Sequence, residues 1–316
     1  MIRCEECLRA NPPTRLTCLY CVAPLPLTES AAKLRKPDLR QPEKHQLGYN
    51  NIILPHDPEP SASVLSDAAK LLKLTEESLQ QLLSHKVALP VARTASREEA
   101  ELVFIRLQDL GIQTVTLSDE DLGLTGPDGG VKRVRSMSFD DDSLTIHQSG
   151  AGEETPVAWS DVVLIVPGRL FETRLEIKER MTRKSENDIV DTSEFFRDEP
   201  VIDFYVAGHL HTWRVSANGF DFSCLAENKA LIANENIGRL LRLLVSRAWK
   251  AQFDDSYREV RNLLDLAWTT QAETQSSGWR RERPGKLSVG VVTTKSNESQ
   301  FTRYSRLCHY FRLNSA

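Results

Sequence analysis

Cys4-Glu-Glu-Cys7 and Cys18-Leu-Tyr-Cys21 stand ten residues apart near the head of this chain. Those two pairs decide how the surrounding residues can fold at all. Each pair sets two thiolates on one metal from a single tight turn, and two turns supply the four soft ligands of a tetrahedral Zn2+. The segment is too short to bury a core, so the metal must hold it together. We expect a zinc knuckle over residues 1–25 with Cys4, Cys7, Cys18 and Cys21 as its metal ligands.

The chain has 316 residues, 40% hydrophobic and 27% charged, a globular mix long enough for two or three domains. A net charge of −4 gives no global basic field for bulk nucleic-acid binding. Nothing approaches the roughly 18 consecutive apolar residues that span a bilayer, so no membrane span is expected. Met1 is followed at once by the cysteine motif rather than by an apolar signal segment. We therefore expect a cytoplasmic protein, where a reducing milieu favours metal over disulfides. The remaining cysteines, Cys224 and Cys308, are isolated, and Cys224 lies in an apolar run as a core thiol.

Between the two pairs, Asn11, Pro12 and Pro13 fit a turn joining short strands. The set Cys4, Cys7, Asn11, Arg15, Cys18 and Cys21 resembles the RanBP2-type zinc finger, and that resemblance implies binding of single-stranded RNA or ubiquitin. Ile2 stands where that family has Trp, and Pro12 where its RNA-binding members have a stacking aromatic. With Leu25 included, the motif is also similar to the short zinc ribbons of bacterial proteins, which implies a structural or protein-docking cap.

Residues 26–47 show no hydrophobic period and carry Lys33, Arg35, Lys36, Arg40 and Lys44 among prolines, the composition of a flexible linker. Residues 48–119 follow as an α+β domain. Asn50–Leu54, Val87–Ala92 and Ile112–Leu117 read as strands, and Val64–Leu74, Glu76–His85 and a run behind Ser96 as helices. Ser66 and Thr75 are candidate N-caps, Ser96 and Glu99 a capping box, and Gly111 a C-terminal stop. That order resembles the ribosomal stalk protein C-terminal domain and the related Clp-protease adaptor fold, which implies a small α/β adaptor-like domain that docks peptides or protein factors. His85, at a helix end, reads as a surface residue.

Gly126-Pro-Asp-Gly-Gly130 marks a turn and a domain boundary. From 130 to 270 we expect seven strands, Val131–Phe139, Leu144–Gln148, Val157–Val166, Leu170–Ile177, Val201–Ala207, Leu210–Val215 and Phe220–Leu225. Asp140-Asp-Asp142 reads as a hairpin tip, and Met181–Glu199 as a disordered excursion. Helices over Lys229–Trp249 and Tyr257–Trp268 would pair as a hairpin. Seven strands and a helix resemble a pleckstrin-homology-like (PH-like) β-barrel, as does the Trp159-Ser-Asp-Val162 turn, and this implies binding or scaffolding. Residues 271–316 form a basic tail, in which Arg280, Arg281, Arg283, Arg303, Arg306 and Arg312 alternate with Phe301, Tyr304, Tyr310 and Phe311. That is the composition of a nucleic-acid contact surface, or of a tail that packs back on a domain through a strand at Leu287–Val292.

His209-Leu-His211 sets two imidazoles on one side of a strand, the first metal pair of a metal-dependent hydrolase, though paired surface histidines have the same spelling. No Gly-x-Ser-x-Gly, Walker loop, His-Glu-x-x-His or dinucleotide fingerprint is present. The sequence thus points to an α+β multi-domain, non-enzymatic protein. It binds zinc and docks a protein partner, with single-stranded RNA as the alternative ligand and a hydrolase as the third reading.

Overall fold

The computed structural model describes residues 1–43, 46–55, 60–125, 130–148, 154–181, 187–276, 278, 280–283 and 286–314. Most of the expected turn at 126–130, together with Lys44, lies outside the described residues. The chain divides into two compact units, Met1–Thr125 with Glu259–Thr269, and Gly126–Arg258 with Thr270–Ala316.

The first unit opens with β1 (Ile2–Arg3) and β2 (Ala10–Asn11), an antiparallel pair in the register Ile2 to Asn11. A short helix α1 (Glu29–Leu34) follows, its N-terminus capped by Thr28, whose hydroxyl accepts from the Ala31 N–H. Residues 26–47 were expected as a solvated tether. Instead Ala31 and Ala32 are buried, and Arg35 donates from Nε to the Pro13 carbonyl at 3.0 Å and from Nη2 to the Pro26 carbonyl at 3.2 Å. Arg106 donates to the Ala32 carbonyl at 3.3 Å, and Lys73 to the Asp38 carbonyl at 2.8 Å. A run of basic residues looks solvated in sequence, but a guanidinium that finds carbonyl acceptors carries its chain inward.

Beyond it come β3 (Tyr49–Ile53), α2 (Ala62–Leu72), α3 (Glu76–Ser84), β4 (Leu89–Thr94), α4 (Arg97–Asp109) and β5 (Thr114–Ser118). The expected order of strands and helices is present. The sheet runs β4-β3-β5, all antiparallel, with β3 central. Ser61, rather than Ser66, caps α2; Thr75 and Ser96 cap α3 and α4 as expected. Glu99 does not close the capping box but turns inward to accept the Leu39 N–H. Gly111, at φ +78°, ends α4 in the left-handed region that a side chain would strain.

In the second unit β6 (Val131–Phe139), β7 (Ser143–Gln148) and β8 (Glu154–Ala158) form a meander, and Asp140–Asp142 sit at the β6–β7 hairpin as expected. A one-turn 3-10 helix at Trp159–Asp161 then leads into β9 (Val162–Met181), which pairs along its length with β10 (Asn187–Val206). Next are β11 (Thr212–Ser216), a 3-10 segment Phe222–Asn228, α5 (Ala233–Arg247) and β12 (Gln252–Phe253); α6 (Tyr257–Leu264) follows and from Glu259 belongs to the first unit. The chain ends with β13 (Gln271–Ser276), β14 (Arg280–Arg283), β15 (Lys286–Ser296) and α7 (Glu298–Asn314). The main path of the sheet is β13-β15-β9-β10-β11-β6-β7-β8, curled into a half-barrel; β11 pairs β6 in parallel.

Four expectations change here. Val157–Val166 is broken by the 3-10 turn, whereas Val162–Val166 and Leu170–Ile177 belong to one strand and do not pair with each other. Gly168 lies inside that strand because a Cβ there would stand 2.2 Å from the ring of Phe301, so only glycine lets the two approach. Asn187–Glu199, expected to be disordered, extends β10. Phe220–Leu225 is not the seventh strand of a PH-like barrel: from Phe222 it is a 3-10 turn, and β8 ends the path rather than closing it. The tail packs back as β15 and α7, whose Phe301, Tyr304 and Arg306 are buried.

Candidate metal centre

The four cysteines of the sequence motif come together. Their sulfurs all lie within 4.8 Å of one another, with Cys4 Sγ 3.6 Å from Cys21 Sγ and Cys7 Sγ 3.5 Å from Cys18 Sγ. All four are free thiols. Sulfurs placed about 2.3 Å from a tetrahedral zinc would be spaced by just under ~4 Å, so the set fits that ion. Four thiolates also fill the coordination shell, which is the arrangement of a structural rather than a catalytic zinc.

The local backbone explains the placement. The Cys4 N–H donates to the Arg9 carbonyl and the Leu8 N–H to the Cys4 carbonyl, both at 2.9 Å. Fourteen positions later the same two bonds recur: Cys18 N–H to the Ala23 carbonyl at 2.8 Å, and Val22 N–H to the Cys18 carbonyl at 3.1 Å. Leu8 and Val22, at φ 58° and 62°, hold the same left-handed position after each second cysteine. The Arg3–Ala10 pairing is matched by the Thr17–Pro24 bridge. Residues 2–11 and 16–25 are thus one knuckle written twice, each half giving two sulfurs.

Asn11 is buried between them. Its Nδ2 donates to Cys18 Sγ at 3.4 Å and to the Arg9 carbonyl at 3.0 Å, and its Oδ1 accepts the Leu19 N–H at 2.9 Å. The sequence marks Asn11 as a turn residue and a motif position; the structure makes it an amide bonded to the Cys18 sulfur, able to orient it toward a metal. Leu25, at the matching place in the second half, is a buried apolar plug packed with Cys4 and Cys18.

Burial opposes ionisation of Cys18, yet its thiol falls to about 6 because N–H groups of Cys21 and Tyr20 and the Asn11 amide bond to its sulfur. A bond from Ala23 favours the Cys21 thiolate, but burial and its contacts with Cys4, Cys7 and Cys18 push that thiol up to about 12. Four crowded sulfurs thus cannot all ionise by themselves, and a divalent cation removes the conflict.

The histidine pair does not build a comparable site. The His209 and His211 rings meet edge to face at 5.4 Å, and His211 lies 4.4 Å from Trp213. Burial, Lys132, His209 and Arg306 lower the His211 pKa to about 4. Among the described residues the four cysteines are the only group of three or more His, Cys, Asp or Glu arranged to share a metal. Cys224 and Cys308 are pushed up by burial, Cys224 to about 11, as inert core thiols. No helix among the described residues is long and apolar enough to cross a membrane. Compared with known proteins, the chain matches no family model, no curated protein and no solved structure.

Proposed function

We propose that residues 1–25 are a structural zinc module whose two knuckle tips dock a protein partner, and that the chain is a non-enzymatic, cytoplasmic interaction or regulatory scaffold. The observation that carries this reading is the pair Leu8 and Val22. A left-handed residue other than glycine costs about 1–2 kcal/mol, and a β-branched one is a true outlier. Both side chains nevertheless point to solvent, beside exposed Leu19 and Tyr20. The left-handed backbone closes each knuckle turn, but a glycine or asparagine would serve there, and apolar side chains exposed at both turns suit a contact with another protein. We group the module with the short zinc ribbons, because Ile2 packs on Cys4, Cys18 and Leu25 inside it.

The test combines Leu8→Asp with Val22→Asp in the full chain. Zinc content should stay at one ion per chain while a partner captured by the parent protein from its native cell is lost. Equal recovery by both would end this reading. Single-stranded RNA is the second reading, favoured by the Arg9 guanidinium 4.7 Å over the exposed Tyr20 ring. It requires salt-dependent binding of a random RNA pool that weakens with Arg15→Ala. Its other basic segments support it less: Arg35 is buried in the first unit, and Arg306 in the second.

A further inference from the structure

Three side chains that carry chemistry fall in one line on the β6-β7-β8 meander, on the side turned away from the core. Met137 and Ile146 are buried, so the alternation of the strands sets Ser136, Ser138, Thr145 and His147 on the other face. His147 stands directly opposite Glu154 on β8, and Ser138 is its diagonal neighbour on β6. His147 Nδ1 is 3.5 Å from Glu154 Oε1, and Nε2 is 3.3 Å from Ser138 Oγ. A carboxylate only accepts, so the neutral imidazole holds its proton at Nδ1 and turns the Nε2 lone pair to the serine hydroxyl. Ser138 is exposed, and the His147 side chain is 30% exposed. Hydroxyl, base and orienting carboxylate in that order is the arrangement that activates a serine, and its contacts are often looser before the reactant arrives.

We propose that Ser138 is an activated nucleophile that takes up an acyl group from an activated ester or thioester, with His147 as its base and Glu154 as a positioning residue. Ser138 Oγ bonds to the carbonyl carbon of the donor, and the bond from that carbon to the leaving oxygen or sulfur breaks. The hydroxyl proton passes to His147 Nε2 and from there to the departing phenolate or thiolate. The products are O-acyl Ser138 and the free phenol or thiol. A carbonyl is neutral and can approach beside Glu154, whereas a phosphoryl group brings negative charge that the carboxylate repels. β7 is paired on both edges, so its backbone N–H groups are bound in the ladder and offer no cradle to an oxyanion. One acyl group per chain without rapid turnover is therefore expected, a covalent mark on a scaffold rather than the cycle of an enzyme.

Acetylation of the full, zinc-loaded chain by p-nitrophenyl acetate tests this, with the modified residues placed and timed by peptide mass spectrometry. Ser136 and Thr145 share the face and serve as controls within the parent protein. Ser138 should be labelled at least ~10-fold faster than either, since a positioned base contributes about 10²–10⁴-fold. His147→Gln should erase that lead, while Glu154→Ala should reduce it and Glu154→Asp keep part of it. These variants change a face turned from the core, so each should melt with the parent. A lead at Ser138 that His147→Gln removes without lowering the melt supports the proposal. Labelling of Ser138 no faster than that of Ser136 and Thr145, or a lead that survives His147→Gln, overturns it.

Discussion

The zinc module and the half-barrel reach order by opposite routes. The first has Cys4, Cys18 and Leu25 for a core, and two of those belong to the cysteine cluster that could hold a metal. The second gathers Trp213, Phe204, Ile165, Leu240 and many others into one apolar cluster and also encloses charge. A few buried side chains cannot offset the entropy of ordering 25 residues. So the same spacing that makes the module legible leaves it with little core of its own, while the half-barrel has a large apolar core with a buried ion pair inside it.

The largest expected effect follows from that contrast. Structural zinc contributes about 10–16 kcal/mol to small Cys-ligated modules near neutral pH. Replacing Cys4 and Cys7 with Ser, or adding a strong chelator, should remove the single zinc and unfold residues 1–25. Amide exchange of Leu8, Cys18 and Val22 would become fast, while β10 and β11 keep their protection. Loss of protection in both regions would show that the contrast is false.

Next in size is a break on the other side. Arg214 and Asp203 are fully buried and bonded twice, Nε to Oδ1 at 2.7 Å and Nη2 to Oδ2 at 2.8 Å. Nη1 reaches Glu298 at 3.2 Å, Nη2 reaches Thr302 at 3.0 Å, and the guanidinium lies 5.0 Å over Phe301. Asp203→Ala leaves a buried cation with too little countercharge, which typically costs 3–5 kcal/mol. Thermal melting should fall sharply with zinc content unchanged. An unaltered melt would mean that water reaches Arg214.

Acid should act on the two regions by different chemistry. Partial burial, with Lys132, His209 and Arg306 nearby for His211 and Arg306 for His309, lowers both imidazoles to about 4. Unfolded histidine titrates near 6.5, so between that pH and about 4 the unfolded chain binds protons that the fold does not. Stability of the half-barrel is therefore complete above 6.5 and declines as pH falls through that window. The His309 ring stacks on Tyr205 at 4.1 Å. His309→Phe keeps a ring there and should shallow the decline, read from β10 exchange against pH; an identical slope would assign the loss elsewhere. The module fails in the same range through proton competition for its thiolates, which added zinc offsets and His309→Phe does not.

What could be read in advance follows this division. Metal spacing, helix caps and the β3-to-β5 order are local, and all lie within a few residues of their cause. The matched halves were also in plain view, since Ile2 to Leu8 and Leu16 to Val22 share apolar, cysteine, cysteine, apolar positions. The half-barrel hid its logic in distant partners. Pro167-Gly168 looks like a strand end until Phe301 arrives on α7. Asp203 and Arg214 look like surface charges until β10 and β11 set them side by side. The charged run before Pro200 resembles disorder until β9 supplies its partners, Glu172 opposite Arg197 and Arg169 bridging Asp198 at 2.8 Å. Arg306 looks like a nucleic-acid contact until the carbonyls of Leu210 and Gly130 accept from it at 2.7 and 2.9 Å.

The smallest effect lies within the module, at the matched positions Asn11 and Leu25. Asn11 bonds to a ligand sulfur, and Leu25 only fills space. Asn11→Ala removes the donor to Cys18 and leaves the Leu19 N–H without its acceptor. Outer partners of this kind change metal affinity by about 10–100-fold, roughly 1.4–2.7 kcal/mol. Leu25→Ala should instead loosen packing and speed amide exchange while shifting zinc affinity less than Asn11→Ala does, because no sulfur loses a bond. Competition with a chromophoric chelator measures both. Equal shifts for the two variants would mean that the module senses only its packing. A larger shift for Asn11 would locate the control of metal affinity in one amide that only the first half supplies.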